Sequence, residues 1–563
     1  MAFQISPGVN TSELDLTTVV PSVLTTAGAF VGTFDWGPAN KIKLIDNEIT
    51  LKKTYGEPTS NSAVSFFTAA NFLSYGNNLQ VVRTVGAGAK NADVNGSQPN
   101  IQIANEDTFE NTILNVSQSN LYGAFMARYP GALGNSIDVG VCANTNTFST
   151  WAYKSYFTSA PTTSDQCTAA GGSGDEMHVI VVDRGGLITG SAGTVLETYP
   201  FLSAASDATL NGSSNYYKQV IFNNSKYIYA VDPVDYTTTS TTWGLPATTT
   251  FARPLSNILS VLTGGVDVLP TDGNIESGYD LFANKESIDI SLIVTGAANV
   301  AVQQYVIDNI VTSRKDCVAL ISPPQSAVVN QTGSEATNIT TWLTSLARSS
   351  SYVIADSGWK YQYDKYNNVY RWIPLNGDIA GLCVYTDTIK DPWFSPAGFN
   401  RGAIKNCIKL AWNPSKTYRD TLYAAGVNPV VSYPGQGTVL FGDKTLQSKP
   451  SAFDRINVRR LFITLEKSIA KASQYSLFEL NDEFTRAQFV ALITPFLRDI
   501  QGRRGITDFK VVCDSTNNTQ QVIDSNQFVG DIYIKPARSI NYVQLNFVAV
   551  ATGVDFTTIV GAV

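Results

Sequence analysis

The sequence predicts a folded protein of several domains, mixed α/β and α+β in class, and three observations support this prediction. The chain has 563 residues, whereas a single hydrophobic core stops growing at roughly 250–300 residues, so about three or four domains are expected. From Asp280 onward, strand and helix patterns alternate, which is typical of a parallel sheet flanked by helices. Residues 91–263 are rich in Ser, Thr, Asn and Gly, with short apolar alternations typical of a β-rich domain.

The first 26 residues are polar and β-branched and contain Pro7-Gly8, which indicates an extended arm with one turn. The following segment has the pattern of half an α/β unit, with an apolar stretch at Ala27–Phe34, a helix near Ala63–Leu73 and a strand at Leu79–Val85. Since a similar pattern returns later, we interpret residues 27–90 and 264–394 as one discontinuous α/β middle domain.

The β-rich residues 91–263 interrupt this domain and are interpreted as an insertion. Apolar alternation predicts its strands at Asp138–Cys142, Met177–Val182 and Lys226–Val231. The stretch Asn144–Gly174 is the most polar and the least patterned, so it is expected to be an exposed, mobile loop.

After the insertion, periodicity predicts strands that alternate with helices. The strands are expected at Ile288–Val294, Cys317–Ile321 and Tyr352–Ala355, and the helices at Val300–Thr312 and Ser334–Ser349.

Residues 395–563 are predicted to be an α+β domain. Apolar residues at helical spacing predict an amphipathic helix at Phe453–Ser473, whose opposite face would hold Arg459, Arg460, Lys467 and Lys471. A second helix is expected at Asn481–Gln501. It would be followed by Gly502, Arg503 and Arg504, where cations suit the carbonyl end of the helix dipole. Strands are predicted at Phe509–Val512, Gly530–Ile534 and Ile540–Val550, so both chain ends have strand patterns without local partners.

The charge is unevenly distributed. The net charge is −7 overall, but from Arg401 onward there are 19 Lys and Arg against 13 Asp and Glu, while residues 1–400 contain 20 against 33. Two interpretations remain open: chance segregation of solvated charge, or a basic part that faces an acidic partner.

Nothing in the sequence predicts catalysis or a cofactor. The one histidine, His178, lies in an apolar alternation typical of a strand, and there is no GxSxG elbow. Six isolated cysteines and one histidine predict reduced structural thiols and no metal site. Gly86-Ala87-Gly88 follows a strand as a dinucleotide-binding turn does, but position 91 is Asn, and no Walker motif occurs.

A ligand site in an open α/β sheet would lie at the carboxyl ends of the strands. Here those positions are Thr295-Gly296, Ser322-Pro323 and Asp356-Ser357, and none offers an acid–base pair. No apolar run is long enough to span a membrane, and the first residues lack the pattern of a secretory signal. The protein is therefore expected to stay in the compartment where it is made.

Seven segments, in order along the chain, carry a family resemblance. They are Ser6-Pro7-Gly8-Val9, Phe30-Val31-Gly32, Trp36-Gly37-Pro38, Leu262–Asp267 (LTGGVD), Ser395–Ile404 (SPAGFNRGAI), Ile456–Ile469 (INVRRLFITLEKSI) and Gly530–Asn546 (GDIYIKPARSINYVQLN). Together they resemble the contractile tail sheath proteins of T4-like bacteriophages, and the first of them is similar to the start of that family.

The resemblance implies a non-enzymatic structural subunit that forms stacked hexameric rings in a helical sheath around an inner tail tube and contracts to drive the tube through the host envelope. Its implied partners are other copies of itself, the inner tail tube protein, and the baseplate and tail terminator proteins, with no direct nucleic acid and no membrane insertion. The implied place is the virion tail, after assembly in the host cytoplasm. The alternatives are the sheath of a phage-derived bacteriocin or contractile injection machine, and an α/β hydrolase-type enzyme.

The resemblance also suggests roles for parts of the chain. Residues 1–26 would be an arm that joins a core domain at 395–563, which ends in a second arm, and 91–263 would lie outermost. Strands exchanged between subunits are expected to contain Gln4, Ile5, Val9, Leu14, Leu16, Ile540, Tyr542, Val543, Leu545 and Phe547. The candidates for facing the tube are Arg459, Arg460, Arg503 and Arg504.

Overall fold

The structure, a computed structural model, describes residues 20–95, 97–114, 121–239 and 241–545. The chain divides into two compact units, one at Thr18–Leu477 and one whose described part is residues 478–545. The expected domain boundary at residue 395 does not coincide with this division and stays a prediction. Residues 395–477 belong to the larger unit because the strand Val427–Asn428 pairs in its main sheet and Ile456 and Ile463 lie in its core.

A seven-stranded sheet organises the larger unit. Six strands run parallel, and the seventh, at one edge, runs antiparallel to its neighbour. In spatial order the strands are Val427–Asn428, Val353–Asp356, Val318–Ile321, Leu292–Val294, Gly28–Gly32, Leu79–Arg83 and Ile42–Ile45. Strands from both sides of the insertion thus lie next to each other in one sheet.

These strands are almost continuously apolar because both faces of the sheet are covered by helices. Phe30, Val294 and Leu320 face one core, while Ala29, Ile293 and Ala319 face the other. Next to the first core lie helices Glu48–Tyr55, Ala63–Leu73, Asn376–Ile389 and Ile456–Ser473. Next to the second lie Asp272–Asp280, Val300–Tyr305 with its continuation to Arg314, Gln325–Val328, Glu335–Leu346 and Lys416–Ala424.

The insertion has its own core around a four-stranded antiparallel sheet. Its strands, in spatial order, are Ile258–Val261, Ile137–Cys142, Glu176–Asp183 and Thr194–Ser203. Two smaller pairs join Phe125–Ala127 with Ile228–Ala230, and Thr209–Leu210 with Ser213–Ser214. Its helical segments are Glu106–Phe109, Glu110–Leu114, Ala132–Ser136, Thr145–Phe148, Lys154–Tyr156, Asp165–Ala170, Tyr217–Asn224 and Tyr236–Thr239.

The prediction that Asn144–Gly174 is an exposed loop is wrong. This stretch contains three short helical segments and buries Trp151, Phe157 and Cys167. Its polar composition hides these few large side chains, which pack against the sheet of the insertion.

A buried arginine fixes the insertion to the main sheet. Arg83 ends the strand Leu79–Arg83, which lies next to the antiparallel edge strand of the main sheet, and it is almost fully buried. Its guanidinium donates hydrogen bonds to the carbonyl oxygens of Phe34, Gly37 and Pro130, each at 2.7 Å. Because Pro130 belongs to the insertion, this one side chain bonds both parts of the larger unit.

The rest of the larger unit comprises small antiparallel elements. Trp359–Asp364 pairs with Val369–Pro374 and with Lys409–Leu410, and Val430–Tyr433 forms a hairpin with Gly437–Leu440. Single turns of helix occur at Ala452–Asp454 and Gln474–Ser476.

The smaller unit is built on one long helix, Glu483–Gly502, and one hairpin of Ile506–Val512 with Asp531–Pro536. Asp482 caps the helix, accepting a hydrogen bond from the Thr485 amide at 2.8 Å. A short helix, Gln520–Asp524, lies between the two strands of the hairpin. Phe489, Ile493, Leu497 and Ile500 are the buried residues of the long helix.

One ion pair lies wholly in the interior of the larger unit. Lys360 Nζ lies 2.9 Å from Asp378 Oδ1, and neither side chain is exposed. Lys360 also donates to the Lys405 carbonyl oxygen at 2.8 Å, and Tyr75 donates to Asp378 at 3.2 Å. Removing one partner leaves a buried charge without compensation.

We therefore expect Lys360→Met to lower the free energy of unfolding by about 3–5 kcal/mol. The double variant Lys360→Met/Asp378→Leu should lose less, because no unpaired charge remains. Chemical denaturation measures both, and Lys365→Met is the control, because its pair with Glu48 is exposed and is expected to contribute about 0–1 kcal/mol. Equal losses in the single and double variants would contradict the prediction.

Candidate active site and assembly surface

The three positions where a ligand site would be expected, Thr295-Gly296, Ser322-Pro323 and Asp356-Ser357, lie together at the carboxyl edge of the main sheet. Asn376 occupies the space between them. Its Oδ1 accepts from the Gly296 amide at 3.1 Å, and its Nδ2 donates to the Gly296 carbonyl at 2.7 Å and to Ser322 Oγ at 2.9 Å. Ser322 in turn donates to Asp356 Oδ2 at 2.6 Å. The position where related sheets bind ligands is thus filled by the chain's own side chain.

Asp356 is a carboxyl group at this edge, and it is fully buried. Burial raises the pKa of Asp356 to about 8, although hydrogen bonds from Ser322 and the Gly358 amide act in the opposite direction. A catalytic acid must reach the atom that it protonates. Since the buried side chains of Asp356, Ser322 and Asn376 hydrogen-bond to one another and to the backbone around them, the geometry supports a structural network here.

His178 is a buried strand residue, as predicted. Its ring stacks on Phe157 with 4.4 Å between centroids and meets the Phe201 ring edge-on at 4.6 Å. Nε2 lies 2.8 Å from the Ser159 carbonyl oxygen, which can only accept, and Nδ1 accepts from the Phe201 amide at 3.1 Å. Both ring nitrogens are therefore used, and the ring is held in the neutral Nε2–H form.

The Gly86-Ala87-Gly88 turn has no room for a phosphate. The Gly86 amide donates to the Val268 carbonyl at 2.9 Å, and a Cβ at Gly86 would lie 2.5 Å from a Val268 methyl. Within the described ranges, no cluster of three or more His, Cys, Asp or Glu side chains could hold a metal ion. Across the same ranges, no helix has the length and apolar character required to cross a membrane.

Arg459 and Arg460 do not lie on an exposed helix face, so this part of the prediction is wrong. Arg460 donates to both oxygens of Asp387, at 2.8 and 2.6 Å, inside the larger unit. Arg459 is buried between aromatic rings, with its guanidinium 4.2 Å from the Tyr352 ring centroid and 3.9 Å from that of Phe453. Helical spacing identifies an apolar face, but it does not reveal that aromatic and acidic partners cover the opposite one.

The smaller unit carries the remaining tube-facing candidates. Arg503 and Arg504 are exposed at the carboxyl end of the helix Glu483–Gly502. Arg503 lies 3.5 Å from Asp499, one helical turn earlier. Their position relative to the helix dipole agrees with the sequence prediction.

The same unit exposes many large apolar side chains. Ile540, Tyr542, Val543 and Leu545 follow the hairpin outside any regular element, and each is more than 70% exposed. Gln4, Ile5, Val9, Leu14, Leu16 and Phe547, the other residues of the predicted exchanged strands, lie outside the described residues. Additional exposed residues of this unit that the sequence patterns did not single out are Phe478, Leu480, Phe484 and Tyr533. A sequence signal existed for three of them, since Phe478, Leu480 and Phe484 lie around the acidic start of the helix Glu483–Gly502.

Full-length relatives identify this architecture. The tail sheath protein of Vibrio phage KVP40 is 35% identical over 99% of this chain and 100% of its own length. The tail sheath protein of Enterobacteria phage T4 is 34% identical over 99% of both. The chain belongs to the phage tail sheath protein family. The predicted membership is confirmed, and the rival assignment to hydrolase-type enzymes has no support in these relatives.

Three family models cover most of this sheath protein outside the insertion. The domain III amino-terminal region matches residues 25–84, the central domain matches 279–446 and the carboxyl-terminal domain matches 448–549. A solved structure, the helical sheath of the anti-feeding prophage in its contracted state, shares the fold with a TM-score of 0.51. It covers 97% of this chain and 99% of that one at 13% identity. The mixed α/β, multidomain class predicted from the sequence is confirmed.

The buried, neutral His178 predicts acid sensitivity. Burial lowers the pKa of His178, so the unfolded chain binds more protons once the pH falls below about 6.5. The contribution of the neutral His178 ring to the free energy of unfolding is therefore fully present above that pH and decreases as the pH falls below it. In His178→Phe the loss of stability on acidification should be smaller, because the titrating ring is gone. At pH 8 the variant should be less stable than wild type by about 1–3 kcal/mol, because the Phe201 amide loses its acceptor.

Thermal unfolding between pH 8 and pH 5 measures this effect, with Tyr156→Phe, an exposed aromatic in the same insertion, as the control. If wild type and His178→Phe show the same pH dependence, the prediction is wrong.

Proposed function

We propose that this sheath protein polymerises as stacked hexameric rings around an inner tail tube and contracts to drive the tube through the host envelope for genome ejection. The observation that carries the proposal is the full-length similarity to two phage tail sheath proteins. The proposed partners are other copies of the chain, the inner tail tube protein, and the baseplate and tail terminator proteins. The protein would assemble in the host cytoplasm, reside in the virion tail and catalyse no reaction.

The finer division of the chain is part of this proposal. Residues 27–90 and 264–394 would form a discontinuous middle domain, with residues 91–263 as an outer insertion. Residues 395–563 would provide the core of the sheath, together with arms at both chain ends. Residues 395–477 lie in the larger unit and residues 478–545 in the smaller one, so this proposed core would contain parts of both units.

Strand exchange between subunits is supported by the form of the smaller unit. A two-stranded hairpin is marginally stable alone and offers unpaired N–H and C=O groups at its edges. The hairpin Ile506–Val512 with Asp531–Pro536 has no third strand among the described residues. A strand from a neighbouring copy would complete it, with main-chain hydrogen bonds giving affinity and alternate side chains setting register. Such a tether would let subunits rearrange without separating.

No nucleotide is needed to drive contraction in this scheme. Each subunit would gain about a few kcal/mol from better-buried interfaces on rearrangement, and many identical subunits would add these gains. The extended sheath would then be a metastable state that is held until a trigger releases it.

The sheath of a bacteriocin or contractile injection machine is the second candidate, because the anti-feeding prophage sheath shares the fold. The virion is favoured, because the phage relatives are 34–35% identical whereas that sheath is 13% identical.

Deletion of residues 1–16 should abolish polymerisation while leaving a folded monomer, because the neighbouring hairpin would lose its added strand. Negative-stain electron microscopy across a concentration series, with circular dichroism of the same samples, measures both effects. Long striated tubes from the deletion variant would refute strand exchange by this arm.

Charge reversal at Arg503→Glu/Arg504→Glu should weaken assembly on purified inner tubes while leaving the monomer stable, because both side chains are exposed. Co-sedimentation with tubes at several salt concentrations measures this, and Lys53→Glu, an exposed lysine on another helix, is the control. Unchanged assembly would remove these arginines from the tube-facing surface.

A further inference from the structure

One layer of helices crosses the main sheet from an acidic end to a basic end. Helix Asp272–Asp280 contacts the central strand Gly28–Gly32 and the helix Val300–Tyr305. That helix contacts Glu335–Leu346, which in turn contacts Lys416–Ala424 beside the edge strand Val427–Asn428. The central and edge strands are four strand spacings apart, about 19 Å. The first and last helices of this layer are therefore well separated within one copy.

The acidic end combines carboxylates with exposed apolar side chains. Residues 265–289 contain six Asp and Glu and one Lys. Asp272, Glu276 and Asp280 recur at every fourth position of their helix and form one stripe. Asp272 accepts from Asn299 and Asp280 from the Tyr305 hydroxyl, each at 2.7 Å, so both are held in place by neutral donors. No cation pairs with the three carboxylates in the described part of the chain. Leu269, 60% exposed, precedes this stripe.

The basic end has the complementary character. Residues 395–441 contain five Lys and Arg and one Asp. Phe399, Tyr433 and Phe441 form a triangle of rings with centroids 5.3–6.3 Å apart, and Phe399 and Phe441 are 51% and 41% exposed. The Arg419 guanidinium lies 6.0 and 5.8 Å from two of these ring centroids. We call these four residues the Arg419 platform.

The Arg419 platform has the composition of a binding hot spot, in which arginine and aromatic side chains dominate. The Arg419 guanidinium donates a hydrogen bond to the Pro414 carbonyl at 3.2 Å and has no carboxylate partner among the residues that the structure describes. Lys416, one turn earlier on the same helix, is exposed and likewise has no acidic partner in the described ranges. A binding surface with carboxylates beside apolar side chains would pair with these cations and cover the exposed aromatic rings.

We propose that the acidic stripe of helix Asp272–Asp280 in one copy docks against Lys416 and the Arg419 platform of the next copy. The two surfaces are different parts of the same chain, so the contact is head-to-tail, and head-to-tail contacts generate rings or helical filaments. This inference rests on the proposed polymerisation and specifies a contact that holds the larger units together. The charge complementarity sets which surfaces meet, and the exposed aromatic and aliphatic groups supply the buried area.

A charge-swap experiment on the full chain tests the contact. Lys416→Glu/Arg419→Glu and Glu276→Lys/Asp280→Lys should each raise the concentration required for polymerisation by about tenfold or more, because like charges then face each other. The quadruple variant should return close to the wild-type concentration, because the pairing is restored with its signs exchanged. Sedimentation and negative-stain electron microscopy measure assembly, circular dichroism checks folding, and Lys53→Glu is the matched single-charge control.

Each outcome decides a different point. Wild-type assembly by Lys416→Glu/Arg419→Glu overturns the docking role of the basic end. Loss of assembly without rescue in the quadruple variant overturns the pairing with helix Asp272–Asp280 and assigns the platform to another surface, such as the inner tube. A wild-type chain that forms no polymer, alone or on tubes, overturns the proposed function and this contact with it.

Discussion

The hydrogen bonds of Asn376 fix the start of helix Asn376–Ile389 to the main sheet of this sheath protein. Its side-chain amide bonds to both backbone groups of Gly296 and to Ser322, and through Ser322 the bonds extend to Asp356. These residues follow three adjacent strands of the main sheet. Buried polar groups left without partners cost about 1–3 kcal/mol each, so the network strongly favours one arrangement of helix Asn376–Ile389 on the sheet.

Closing the carboxyl edge in this way has a functional consequence. In open α/β sheets that edge is where ligands bind, and here one helix start and its buried ion pair, Lys360 with Asp378, occupy it. The interior becomes a rigid support, and Arg83 extends that rigidity into the insertion. A subunit that must transmit force within a polymer needs such a support, while its specificity has to lie on its surfaces.

The surfaces of the two units differ in physical character. The larger unit offers charge of opposite sign at the two ends of one helical layer, with aromatic or aliphatic groups beside it. The smaller unit offers open strand edges and exposed apolar side chains such as Phe478, which is fully exposed. Charged surfaces can separate and meet again as subunits move, whereas a paired strand persists because several main-chain hydrogen bonds must break together.

The sequence alone predicted the elements whose signals are local. Helix Ala63–Leu73 and the strands near Leu79, Val318 and Val353 follow from apolar periodicity, and family membership follows from ordered motifs along the chain. The environments of single side chains could not be predicted in this way. Arg459 and Arg460 have the spacing of a solvated helix face. They are nevertheless enclosed by the Tyr352 ring and the Asp387 carboxylate, both more than 70 residues away in sequence, and by the nearby Phe453 ring.

The same limit applies to Asn144–Gly174, where a polar composition conceals buried aromatics, and to Asn376, whose partners lie 54 and 80 residues away. Thus the sequence by itself determined the class, the main strands and helices and the family, because periodicity and motifs act over short distances along the chain. Only the tertiary structure decided which polar groups are buried and which remain free for assembly, because that depends on contacts between residues distant in sequence.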